Sequence, residues 1–93
     1  MTPEELNALQ NAGWVLSEDK IAIEKLFKFK NFKQAMAWMM QMSFEAEALD
    51  HHPEWENVYN RITVRLTTHS TGGLTELDAK LARKMEASIA DQS

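Results

Sequence analysis

Cysteine is absent from this 93-residue chain. That removes a disulfide scaffold, a cysteine nucleophile, and thiolate zinc or iron–sulfur sites. It agrees with a reducing cytosol, so a cytoplasmic location is the expectation. Glycine and proline are scarce, at three and two residues. With no flexible linker to divide it, the chain reads as one domain over residues 1–93. Long apolar runs are missing too. The longest, Ala35 to Met40, has six residues, whereas a spanning helix needs about 18 or more. The start, Thr2-Pro3-Glu4-Glu5, lacks the basic-then-apolar pattern of a secretory signal, and export is not expected. Positive charge is in deficit, with 10 basic against 14 acidic residues and a net −4. That argues against direct nucleic-acid binding, which wants a basic surface. No GxGxxG, Walker or GxSxG pattern occurs.

The residues that are present fall into elements. Thr2-Pro3-Glu4-Glu5 supplies an N-cap, a proline at the first helical position and a capping-box glutamate. Leu6 and Leu9 give a short apolar face, and Gly13 stops the helix. Ile21, Ile23, Phe27 and Phe29 recur at even spacing with Lys25 interrupting, so residues 14–29 read as a hairpin. Asn31, with Gln34 three residues on, opens a long helix over 32–49. Its apolar residues, among them Trp38, Met40, Met42 and Phe44, cover a wide face, which predicts a well-buried helix. Its methionines read as flexible core filler in preference to a binding groove. Past Pro53, the stretch from Val58 to His69 alternates cleanly, with Val58, Ile62, Val64 and Leu66 on one face. That predicts one long half-buried strand, broken by Gly72-Gly73. Leu74, Leu77, Leu81, Met85 and Ile89 keep three-to-four spacing in a last helix starting near Thr75. The order is α-β-β-α-β-α, an α+β domain with helices on one face of an antiparallel sheet. A second subunit is one means of covering the sheet's edges.

Chemistry concentrates in the second half. His51 and His52 lie between the long helix and the strand, and His69 ends the strand. Glu47, Asp50, Glu54 and Asp78 are nearby in sequence. Histidine titrates at about 6.5 when unperturbed, so three at element ends suit an acid–base pocket. Surface loop residues are the bland alternative. A divalent metal site is a third reading, but the histidines lack the i, i+4 helical spacing such a site favours. Asp78 fits a capping box in Thr75-Glu76-Leu77-Asp78, and a capped carboxylate can also orient a histidine. Glu47 precedes His51 by four residues and shares its face if the helix continues that far. Trp55 suits either a core anchor or a flat wall for a ring. Lys25, Lys28, Lys30 and Lys33 read as a solvated strand edge in preference to a phosphate patch.

The spacing Glu47-Ala-Leu-Asp50-His51-His52-Pro53, then five residues to Tyr59, nine to His69 and eight to Asp78, resembles the pterin-4a-carbinolamine dehydratase family. Members of that family also serve as the dimerisation cofactor of a homeodomain transcription factor. His52-Pro53-Glu54-Trp55 and Thr67-Thr68-His69 carry the same likeness. The resemblance implies a four-stranded antiparallel sheet with three helices on one face, one strand more than the residues alone reveal. It implies a homodimer or homotetramer. The implied reaction is dehydration of 4a-hydroxytetrahydropterin to quinonoid dihydropterin, in tetrahydrobiopterin recycling after aromatic amino acid hydroxylation. The pterin is then substrate, and neither cofactor nor metal is expected. By resemblance His51 and His69 are acid–base residues and His52 positions the pterin. Glu47, Asp50 and Asp78 support them, and Pro53, Trp55, Thr68, Ser70 and Thr71 line the pocket. An aromatic amino acid hydroxylase or a transcription factor is a further partner the resemblance implies. A non-catalytic interaction module, or a related pterin such as one of molybdopterin metabolism, stands as the alternative.

Overall fold

The computed structural model describes residues 1–90, so the last three positions of the single-domain reading lie outside the described residues. Helix α1 (Pro3–Asn11) begins with the expected capping box. Thr2 Oγ1 accepts from the Glu5 N–H at 3.1 Å, and Glu5 Oε1 accepts from the Thr2 N–H at 2.9 Å. The two side chains thereby satisfy backbone donors that the first turn leaves unpaired. Gly13, at φ +109°, carries the chain out of the helix. Strands β1 (Val15–Leu16) and β2 (Ile23–Lys28) form the hairpin expected over 14–29. Lys25 breaks the alternation for a polar reason: its amine donates to Ala12 O and to Glu86 Oε2, both at 2.6 Å.

Helix α2 (Phe32–Leu49) matches the expected bounds, with Asn31 Oδ1 accepting from the Gln34 N–H at 2.9 Å. Its burial does not match the wide apolar face. Ala35, Trp38, Met42 and Ala46 are buried, whereas Met40 and Phe44 are 62% and 71% exposed. One stripe suffices to meet the sheet and the last helix, which leaves the opposite side of α2 open.

The long strand expected from Val58 to His69 is instead a hairpin. β3 (Glu54–Val58) turns through Tyr59 and Asn60 into β4 (Arg61–Leu66), and β3 is the strand that the residue pattern left unplaced. The observed order is α-β-β-α-β-β-α. The sheet has four antiparallel strands in the order β1-β2-β4-β3. Val58 pairs with Arg61 and points to the open face, while Ile62, Val64 and Leu66 point into the core. His69 lies beyond the strand, in the loop before α3 (Glu76–Ala90).

The core lies between the sheet and its helices. Trp14, Ile23, Phe27, Trp38, Met42, Leu66, Leu81 and Met85 form it. The Phe27 and Trp38 rings are 4.7 Å apart, and Trp55 flanks Trp38 at 6.3 Å. Both buried indole N–H groups find acceptors, Trp14 on Glu86 Oε2 at 2.9 Å and Trp38 on Ser88 Oγ at 2.7 Å. Such pairing is needed, since an unpaired buried donor costs about 1–3 kcal/mol. Among the described residues no helix is long and apolar enough to cross a membrane.

Candidate active site

The site is built where α2 stops. Asp50 adopts the left-handed conformation, φ +51°. The Asp50 N–H then reaches Glu47 O at 3.1 Å, and the His51 N–H reaches Ala46 O at 3.0 Å. This is a Schellman ending, with aspartate where glycine is commoner. It turns the two adjacent histidines apart. His51 is buried and His52 is exposed.

Each of the three histidines meets its own carboxylate. His51 Nε2 lies 2.6 Å from Asp78 Oδ1, the pair being 9% and 0% exposed. His52 Nε2 lies 2.8 Å from Glu47 Oε1. His69 Nε2 lies 3.5 Å from Glu54 Oε2. The condition for a shared Glu47–His51 face is not met, because the helix ends at Leu49 and the chain reverses before His51; Glu47 pairs with His52 at the exposed helix end. Glu54 is the partner the sequence reading did not assign. Strand register places it opposite Arg65, whose Nε lies 3.6 Å from the same Glu54 oxygen, and no residue pattern announces that register. Asp50 acts in the turn itself and is exposed.

Asp78 does cap α3, as its spacing from Thr75 predicts. Its Oδ2 accepts from the Thr75 N–H at 2.9 Å and from the Thr68 hydroxyl at 2.7 Å. Its Oδ1 meets His51. A carboxylate offers only acceptors, so neutral His51 donates from Nε2. Among the described residues every fully buried side-chain polar atom has a partner. His51 Nδ1 makes no hydrogen bond and so is not among the fully buried atoms.

Residues 68–73 close into a tight loop. The Thr68 N–H meets Gly73 O at 3.1 Å, and the Gly72 N–H meets Thr68 O at 3.0 Å. Gly72, at φ +73°, takes the left-handed position. Thr71 Oγ1 donates within the loop, lying 3.1 Å from Thr68 O and 3.2 Å from Gly73 O. His69 and Ser70 are exposed on it.

Glu47, His52, Pro53 and Trp55 line one groove with Met40 and Phe44, of about 420 Å³. Trp55 also borders a smaller recess with Glu54, Thr63 and Arg65. It is thus at once a half-buried core neighbour and a wall. Among the described residues no three histidine or acidic side chains converge as a metal-ligand set.

Fold and site together define a small α+β domain with three carboxylate-paired imidazoles, of which His52 lines an apolar groove. The family model described as pterin 4 alpha carbinolamine dehydratase matches residues 1–88, and the chain belongs to that family. A Sinorhizobium medicae protein provisionally named pterin-4-alpha-carbinolamine dehydratase is 54% identical over 93 residues, covering 92% of this chain and 89% of its own. A Rhizobium meliloti protein with the same provisional name is 53% identical over the same shares of the two chains. A Brucella melitensis crystal structure, titled transcriptional coactivator/pterin dehydratase, superposes with a TM-score of 0.83 at 50% identity. That match covers 94% of this chain and 95% of the Brucella chain.

Proposed function

We propose that the protein dehydrates 4a-hydroxytetrahydropterin to quinonoid dihydropterin, a step that recycles tetrahydrobiopterin after aromatic amino acid hydroxylation. The observation that carries the reading is the buried His51–Asp78 pair, whose Nδ1 makes no hydrogen bond, in a chain where His52 and His69 each meet a carboxylate as well. The reaction breaks the C4a–O bond and removes the N5 proton, forming C4a=N5 and water. His51 Nδ1 takes the N5 proton, and Asp78 favours the imidazolium that results, as a carboxylate does behind any histidine base. His69 gives a proton to the departing hydroxyl. His52, held by Glu47, positions the pterin. Trp55 and Pro53 wall the ring, and Ser70 and Thr71 lie in the loop that carries His69. The chemistry asks for no cofactor beyond the substrate.

A homodimer or homotetramer is part of the same reading, supported by the exposure of Met40 and Phe44. The second reading, an interaction module that docks a transcription factor, is favoured by the same exposed helix face and by the coactivator title of the Brucella relative.

The test is absorbance-monitored formation of quinonoid dihydropterin from fresh 4a-hydroxytetrahydropterin, with chelator present. The protein is expected to outpace spontaneous dehydration. His51→Ala or His69→Ala should each lose at least about tenfold, since general acid–base groups contribute roughly 10²–10⁴. A rate equal to the spontaneous one, from folded protein, overturns the proposal.

A further inference from the structure

Thr68 is buried two residues beyond β4, one residue before His69. Its hydroxyl has a single hydrogen, and the 2.7 Å contact to Asp78 Oδ2 takes it. Toward Thr75 Oγ1, 2.8 Å away, Thr68 therefore accepts and the Thr75 hydroxyl donates. Thr75 Oγ1 accepts in turn from the Leu77 N–H at 3.3 Å. The donors run one way, from the first turn of α3 through two hydroxyls to the carboxylate. With the Thr75 N–H on the same oxygen at 2.9 Å, Asp78 Oδ2 is held by two donors. That leaves Oδ1 aimed at His51 Nε2, 2.6 Å away.

We infer that Thr68 is a positioning residue: its hydroxyl locks the Asp78 carboxylate and so keeps the hydrogen of neutral His51 on Nε2, with Nδ1 free to accept a proton. The hydroxyl cannot also donate to a ligand, because its hydrogen is already committed. Without it, Oδ2 keeps one donor, the carboxylate can swing about its Cβ–Cγ bond, and the ring loses the partner that selects its tautomer. The catalytic half of this inference rests on the dehydratase reading; the tautomer half does not.

The test compares Thr68→Val, which removes the hydroxyl at nearly constant volume, with Thr68→Ser, which retains it. Thr68→Val is expected to lower kcat by roughly 10–100-fold, taking as a guide the loss seen when groups that orient metal-bound histidines are removed. KM should stay within about twofold, since what is lost acts in the transition state. Thr68→Ser should restore most of kcat. Imidazole ¹⁵N shifts of the wild-type protein, at a pH where His51 is neutral, should show hydrogen on Nε2, and Thr68→Val should mix the two tautomers. Unchanged kcat in folded Thr68→Val overturns the inference, as does hydrogen on Nδ1 in the wild type. Should Thr68→Val fail to fold, the wild-type nitrogen shifts and the Thr68→Ser rate decide. If the wild type shows no dehydration, the dehydratase reading falls and the nitrogen shifts alone judge Thr68.

Discussion

Two single residues decide which histidine does what. Asp50 stands in the left-handed region, where a side chain costs about 1–2 kcal/mol that glycine avoids. Its place is to end α2 and send His51 inward and His52 outward. Asp50→Gly is therefore expected to stabilise the fold by about 0.5–1 kcal/mol in denaturant melts, with dehydration unchanged. A large loss of activity in a more stable protein would show that the carboxylate, and not the backbone, matters. Glu54 is the opposite case. Its Oε2 stands between His69 Nε2 at 3.5 Å and Arg65 Nε at 3.6 Å. Both ends are well exposed, so the pair contributes little to stability. Glu54→Gln should leave the melting temperature nearly unchanged while lowering kcat more than it changes KM, because the ring it orients loses its partner. Wild-type kcat would remove Glu54 from the site. The three histidines and Asp78 stand out as candidates from residue type, spacing and the family resemblance. The pairings of Glu47 and Glu54 do not, because they depend on where a helix stops without glycine and on strand register.

At the scale of elements, the local chemistry that marks ends was readable wherever it used familiar residues. Thr2 with Glu5, Asn31 with the Gln34 N–H, and Thr75 with Asp78 all cap helices as their spacing predicts. The β3–β4 hairpin escaped because Tyr59-Asn60 is no glycine turn, although Tyr59 sits at φ +52°. Period-two alternation also runs through a two-residue turn without visible interruption, so the pattern aligns Val58 with Ile62 although the turn puts it on the open face. The α1 cap has a consequence for pH. The Thr2 backbone N–H, and after it the Arg83 guanidinium, hold the Glu5 carboxyl at about 2, against an ordinary 4.5. A group whose folded value is depressed binds its proton more weakly in the native state. Its stabilisation is present above about 4.5 and is lost as pH falls through about 2. Acid titration of thermal stability should thus be steeper in the wild type than in Glu5→Gln over that window. The two proteins should converge below it, where both side chains are uncharged. Parallel curves would mean that neither the Thr2 cap nor the Glu5–Arg83 tie between α1 and α3, 2.7 Å long, holds the carboxylate in solution.

At the scale of the whole molecule, two surfaces are left unmatched. The sheet face opposite the helices exposes Val15, Leu26 and Val58 among charged neighbours, and α2 exposes Met40 and Phe44. The second is the more consequential, because both residues also line the groove beside His52. A phenylalanine taken fully out of water gives about 1.5–3 kcal/mol, and a symmetric contact would bury each such residue twice. A second copy packed on this face would also wall the groove, so assembly and activity should vary together. Light scattering of Phe44→Glu is expected to give a smaller species than the wild type. That variant cannot say whether lost activity comes from lost assembly or from a changed groove wall. Dilution can: if assembly completes the groove, wild-type activity per chain should fall as concentration drops through the range in which light scattering reports dissociation. Constant activity per chain across that range would mean the groove is complete within one chain, and that the exposed helix face serves another partner.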